Sequence, residues 1–242
     1  MNVYSQTDIG LKRDSNQDYC IVGEFPDGSV WAVVCDGMGG ANGGSTASRV
    51  AAENISDSLK SGYRDDMTPE EIRNLMQLSV EYANRAVYDI SVHVPGLSGM
   101  GTTVVCAVVR KKRAHIVHAG DSRAYICSDE GVRQITTDHS VVQKLVDMGE
   151  ITKEQARYHP NRNLITRALG TEPNIRTDYN TVEFEDGAKL VLCTDGMSGY
   201  ITDDMLLEII RQNASETLTE KLVERSKEMG GSDNITVAVI AD

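Results

Sequence analysis

An aspartate followed by glycine twice closes an apolar run: Asp36-Gly37 in VWAVVCDGMGG (30–40) and Asp195-Gly196 in LVLCTDGMSG (190–199). In each case a segment that reads as a buried strand empties into a glycine turn with a carboxylate at the junction. Two more aspartates sit at strand boundaries, Asp121 in HIVHAGDSRAY and Asp233 in GGSDNITVAVI. If these four carboxylates converge at one edge of a sheet structure, they cannot all stay ionised without cations among them. Oxygen ligands lacking a Cys/His constellation select hard divalent ions such as Mg2+ or Mn2+. The five histidines form no HxxxH or HExxH pattern and read as structural. Glycine after aspartate lets its own carbonyl approach an ion held by the preceding carboxylate. Two ions about 3.5 to 4 Å apart, bridged by one carboxylate, would activate a shared water for in-line attack on phosphorus. Hydrolysis of a phosphoester is therefore the chemistry expected.

The elements that must position these residues follow from periodicity. Strand-like runs fall at 3–9, 18–24, 29–35, 102–110, 113–119, 124–128, 182–185, 189–193 and 234–240, many joined by short turns such as RKKR that imply antiparallel hairpins. Helical patterns cover 45–61, 69–92, 141–148, 203–212 and 214–229. The second of these opens with Thr68 as N-cap, Pro69 at the first helical position and acids in the first turn. Blocks of strands interrupted by helical pairs describe an α+β chain with sheets sandwiched between helices, rather than the regular alternation of a parallel sheet. With no linker or repeat, residues 1–242 are expected to form one domain. The polar stretch 149–167 is long for a connection inside it and is expected to be a surface flap near a site or a loose insertion.

Composition narrows the function. A net charge of −12 argues against nucleic acid or an anionic membrane as partner. The five cysteines are odd in number, unpaired in spacing and mostly within apolar runs, which fits reduced core thiols and a cytoplasmic location. The start of the chain has no signal-peptide pattern, and no window approaches the ~20 apolar residues of a membrane helix.

RDSNQD (13–18), CDGMGG (35–40), GMGTT (99–103), AGDSRAY (119–125), TTDHS (136–140), ITRALG (165–170), CTDGMSG (193–199) and GSDNITVAVI (231–240) occur in the order and spacing of the metal-dependent protein phosphatases, the type 2C or PPM family. The resemblance spans nearly the whole chain and is closest to bacterial stand-alone catalytic domains. It implies a four-layer αββα sandwich, and dephosphorylation of phosphoserine and phosphothreonine in proteins that Ser/Thr kinases modify. By that resemblance Asp36 bridges two metals and Gly37 offers its carbonyl to the second. Asp195 and Asp233 complete the first site, and Asp18 reaches the second. Arg13 grips the phosphate through a planar fork. Asp121, with Asp195, resembles the site of a third, weaker ion, and Asn234 supports its neighbouring ligand. One position departs from many eukaryotic relatives, which carry a histidine where this chain has Met38. A thioether cannot donate a proton.

Three rival readings exist. CSDEGVR (127–133) has the CxxxxxR spacing of cysteine-dependent phosphatases, but Asp129 and Glu130 inside it would repel phosphate. A pseudophosphatase that only binds phosphoproteins would be expected to have lost a bridging ligand, yet Asp36, Gly37, Asp195 and Asp233 are all present. A two-metal nuclease would need a basic groove that the acid excess disfavours.

Overall fold

The computed structural model describes residues 1–128 and 130–242. In chain order it contains β1 (Asn2–Asp8), β2 (Asp18–Glu24), β3 (Val30–Met38), α1 (Gly40–Gly62), α2 (Pro69–His93), β4 (Gly101–Thr102), β5 (Val104–Arg110), β6 (Arg113–Ala119), β7 (Arg123–Ser128), β8 (Gly131–Gln134), α3 (Val141–Asp147), α4 (Lys153–Tyr158), β9 (Asp178–Glu183), β10 (Lys189–Cys193), α5 (Asp195–Ser198), α6 (Asp203–Gln212), a 3-10 turn (Ser215–Thr217), α7 (Leu218–Glu228) and β11 (Ile235–Ala241). One sheet runs β1-β11-β10-β7-β8. The other runs β2-β3-β5-β6-β9, with β4 paired to the end of β3. The strand pairings are antiparallel.

Alternation along the central strands explains the layering. In β3, Val30, Ala32 and Val34 join Val105, Ala107, Leu190, Leu192, Ala238 and Ile240 in the core between the sheets. Trp31, Val33 and Cys35 face the other way, against Ile55 and Leu59 of α1 and Met76 and Val80 of α2. On the far sheet Val191, Cys193, Val237 and Val239 pack under Leu206 and Ile210 of α6 and Leu222 of α7. A strand buried on both faces reads as a continuous apolar run, which is the composition of β3, β5, β10 and β11. The expected αββα sandwich is the observed one.

Local details hold and differ instructively. Thr68 caps α2 in a capping box, its Oγ1 accepting from Glu71 N while Thr68 N donates to the Glu71 carboxylate. The RKKR turn places both Lys111 and Lys112 at positive φ, 46° and 59°, matching the right-handed twist of the β5–β6 hairpin. One expectation needs correction: β9 lies at Asp178–Glu183, not at 182–185. The 149–167 connection holds a short helix, α4, with its own capping box between Thr152 and Gln155. No helix among the described residues is long and apolar enough to cross a membrane.

Candidate active site

Antiparallel register brings the first two acids together. β3 stays fully buried through Cys35 and releases Asp36 at its end, and β2 pairs so that Asp18 stands directly opposite it. The backbone of Asp36 is pinned on its other side: its N–H donates to Thr103 Oγ1 (3.0 Å), and its carbonyl accepts from Thr103 N (2.8 Å) and Thr102 Oγ1 (2.9 Å). Thr103 Oγ1 also meets Ser122 Oγ at 2.7 Å, tying this strand end to the loop that carries Asp121. From the other sheet, β10 ends at Cys193 and hands the chain through Thr194 to Asp195, the first residue of α5, while Asp233 and Asn234 immediately precede β11. The expected aspartates therefore lie at strand ends of both sheets and act electrostatically on one another.

Their protonation registers that closeness. Asp18 is buried, and burial first, then the charges of Asp195 and Asp233, push its pKa from 3.8 up to about 7 against a 2.9 Å hydrogen bond donated by Thr194. Burial followed by Asp195 pushes Asp121 to about 8. Asp36 is held well above the usual carboxylate range by desolvation and then by Asp18, Asp195, Asp121 and Asp233 together. Asp195 is raised by burial and by Asp233. Its Oδ1 is buried and has no hydrogen-bond partner. Such an orphaned buried oxygen, in a cluster that suppresses its own ionisation, has the donor chemistry of a hard-cation site.

The glycines have a packing reason. A Cβ on Gly37 would overlap the Gly44 carbonyl oxygen and press on the Gln17 oxygen, and one on Gly196 would overlap the Asn234 carbonyl oxygen. The residues expected around the acids fall as follows. Arg13 is half-exposed and donates to Asp233 Oδ2 at 2.7 Å, at the rim of the cluster. Asn234 is buried and clamps the 9–17 loop: its Nδ2 donates to the carbonyls of Ile9 (2.9 Å) and Ser15 (3.0 Å), and its Oδ1 accepts from Gln17 N (2.8 Å). That loop carries Arg13 and leads into Asp18. Met38 lies beside Gly101 in the β3–β4 pairing.

Residues the sequence did not assign complete the support. Thr194 Oγ1 holds Asp18 and accepts from Thr236 N at 3.1 Å. Arg123 forks onto Asp138, with Nε and Nη2 within 3.1 Å of its carboxylate. His139 Nδ1 accepts from Gly120 N at 3.1 Å, next to Asp121, and its Nε2 meets Arg167 and Asp178. Arg123, Asp138, His139 and Arg167 sit inside AGDSRAY, TTDHS and ITRALG, and Thr194 inside CTDGMSG, so the motifs marked them without revealing their partners. The cysteine-phosphatase reading fails on burial. Cys127 is enclosed in β7 opposite Val132, and burial pushes its thiol up to about 12. Asp129 lies outside the described residues.

Known proteins resemble this chain over nearly its whole length. Residues 12–235 match the family model described as Protein phosphatase 2C. The chain belongs to the protein phosphatase 2C family. A serine/threonine phosphatase of Listeria monocytogenes is 36% identical over 243 residues, covering 99% of this chain and 95% of the relative. The Streptococcus agalactiae serine/threonine phosphatase superposes with a TM-score of 0.92 at 30% identity, covering 100% of this chain and 99% of that one. The catalytic domain of the serine/threonine protein phosphatase PstP, solved with two manganese ions, superposes with a TM-score of 0.86 at 30% identity, over 100% of this chain and 98% of that one. This family member is accordingly a metal-dependent serine/threonine protein phosphatase.

Proposed function

We propose that this phosphatase hydrolyses phosphoserine and phosphothreonine monoesters of proteins at the carboxylate cluster, with Asp36, Gly37, Asp18, Asp195 and Asp233 holding two Mn2+ or Mg2+ ions and Asp121 with Asp195 an outer third. The observation that carries the reading is the set of buried and half-buried acids at strand ends of the two sheets, raised in pKa by burial and then by one another and including the orphaned Asp195 Oδ1. Cations would satisfy all of them at once. When bound, two such ions supply Lewis acidity and water of lowered pKa aligned for in-line displacement at phosphorus. The protein does the rest. Arg13, held at the rim by Asp233, turns its remaining guanidinium donors to the phosphate oxygens. Asn234 fixes the loop that aims Arg13, and the Thr102–Thr103 and Thr194 hydroxyls fix the bridging and facing carboxylates. Displacement breaks the ester P–O bond and releases the serine or threonine hydroxyl and inorganic phosphate. Met38 has no proton to give, so the leaving oxygen takes its proton from water.

The partners on this reading are phosphoproteins and the Ser/Thr kinases that make them. Five unpaired cysteines, four of them buried, support action in the reducing cytoplasm. The deciding experiment is turnover of p-nitrophenyl phosphate and a phosphothreonine peptide with added Mn2+, before and after EDTA, for the natural protein and for Asp36→Asn. Activity should vanish on chelation, return with Mn2+ and be absent from the variant. Full activity after exhaustive chelation would sink the two-metal reading.

A further inference from the structure

Asp121 hangs from a backbone with little stiffness of its own. It follows β6 through Gly120, whose φ of 111° residues with side chains rarely adopt and where an added Cβ would stand 2.6 Å from Thr103 Cγ2. Glycine rotates more freely than any other residue, so whatever holds Gly120 decides where the Asp121 carboxylate points. On the far side of Asp121, Ser122 Oγ is held by Thr103 Oγ1 at 2.7 Å. On the near side one residue, His139, takes both polar backbone groups of Gly120. The glycine N–H donates to His139 Nδ1 at 3.1 Å, and the glycine carbonyl accepts from His139 N at 2.9 Å.

The ring that does this is itself fixed. Nδ1 receives an N–H, so it presents a lone pair and the ring proton sits on Nε2. Asp178 Oδ2 lies 3.2 Å from Nε2 and accepts that proton, while Asp178 Oδ1 accepts from Arg167 Nη1 at 2.7 Å. Arg167 Nη1 also stands 2.9 Å from Nε2. In the other tautomer Nε2 would accept from Arg167, but Nδ1 would then turn its proton on the Gly120 N–H and leave two buried donors facing each other. The imidazole is buried, stacks on His118 with centroids 4.6 Å apart and planes 9° apart, and belongs to a residue whose carbonyl accepts from Thr166 N at 2.7 Å. A carboxylate on one ring nitrogen is the device that aims metal-binding histidines. Here the other nitrogen meets a backbone N–H, one residue before a carboxylate.

We propose that His139 is a positioning residue for Asp121: its Nδ1 sets the Gly120–Asp121 peptide and thereby the affinity of the outer cation, a role that rests on the proposed outer-ion reading of Asp121. The histidine itself touches no ion. Asp178 and Arg167 act one step further out, by holding the ring in the tautomer that can accept.

Calorimetric Mn2+ titration, paired with p-nitrophenyl phosphate turnover across Mn2+ concentration, tests this on the natural protein and on His139→Leu, His139→Asn and His139→Gln. His139→Leu fills the site without an acceptor and should weaken the weakest Mn2+ site roughly tenfold, the loss typical of a group standing behind a metal ligand, with the tight sites unchanged. Excess Mn2+ should recover its rate, because Asp121 is still present. The amide oxygen of asparagine falls where Nδ1 stands and that of glutamine where Nε2 stands, so His139→Asn should regain most of the affinity and His139→Gln should not. Packing alone would give the reverse order, glutamine being nearer to histidine in size. In 15N-labelled, Mg2+-loaded natural protein, a scalar coupling across the N–H···N bond should link Gly120 N to His139 Nδ1, a signature independent of activity and of any variant's folding. A missing coupling, glutamine rescuing better than asparagine, or an unchanged weak site in His139→Leu would each overturn the proposal. An Asp121→Asn variant that keeps its weak site would overturn the outer-ion reading instead, while the coupling would still show His139 holding Gly120.

Discussion

Replacing Asp18 by asparagine should stabilise the metal-free protein, and increasingly so as pH rises. The folded chain holds the Asp18 carboxyl at about 7, against an ordinary value of 3.8. A carboxyl whose folded pKa stands above its unfolded one keeps its proton better in the folded state, so it removes stability as pH climbs from the unfolded value through the folded one. Integrated from pH 5 to pH 8, those two values give a loss of about 2.5 kcal/mol from this one group. For a chain of this size that is roughly 5 to 10 °C in Tm. Asparagine keeps an oxygen to accept from Thr194 Oγ1 but carries no charge to repel Asp36 and Asp195. The buried histidines act in the opposite direction: burial lowers His115 and His139 to about 4, which removes stability as pH falls below about 6.5. They do so equally in both proteins, so the difference between the two melting curves isolates Asp18. Calorimetric Tm of the natural protein and of Asp18→Asn, both in EDTA, should diverge by roughly 5 to 10 °C between pH 5 and pH 8. In excess Mn2+ the order should invert, because ions bound by the natural protein stabilise it by mass action. A difference in EDTA that stays constant with pH would refute the repulsion argument.

Arg13→Ala should raise KM for p-nitrophenyl phosphate roughly 10- to 100-fold, the loss of charge-assisted phosphate contacts, while Tm stays within a few degrees because the Arg13–Asp233 pair is half-exposed; unchanged kinetics would remove Arg13 from the site. Asp36→Asn should abolish tight Mn2+ binding measured by titration calorimetry, whereas Asp121→Asn should lose one weak site and retain the tight ones. Equal loss in both would place Asp121 among the core ligands. Gly196→Ala forces a Cβ into the Asn234 carbonyl oxygen and should destabilise the protein by about 1 to 3 kcal/mol, with weaker Mn2+ binding; a variant melting like the natural protein would show that the backbone can yield there.

What the sequence made legible was local. Asp36-Gly37 and Asp195-Gly196 stood out because a charge at the end of an apolar run conflicts with burial, and Thr68-Pro69-Glu70-Glu71 announced a helix start in four adjacent residues. What stayed hidden depended on distance or on mixed polarity. Thr194 reaches Asp18 across 176 positions, and Arg167 meets His139 across 28; no local pattern encodes either pairing. β9 reads DYNTVE and lies at a sheet edge, where half-exposed polar residues blur alternation, so the apolar residues near its end drew the expected strand four residues late. α4 is six residues with none buried, so no apolar stripe marked it, although the T-x-x-Q of its capping box was readable.

The two halves of the chain meet in the chemistry for a topological reason. β3 and β2 belong to one sheet, β10 and β11 to the other, and each contributes an acid where its hydrogen-bonded ladder stops. Asp18 and Asp36 face each other in the last pair of the β2–β3 register and Asp195 follows β10 by two residues, so each is held rigidly by a strand end while Asp36 and Asp195 stay partly open to solvent. Backbone donors and threonine hydroxyls pin these strand ends, so the acids cannot relax apart when they repel. The burial and mutual repulsion that raise Asp18 and Asp121 are therefore properties of the fold, and on the proposed function divalent cations are the ligands that would relieve them. If these acids hold the ions as proposed, stability and catalysis depend on the same ions, which is why a single substitution at Asp18 is expected to strengthen the metal-free fold and weaken the enzyme.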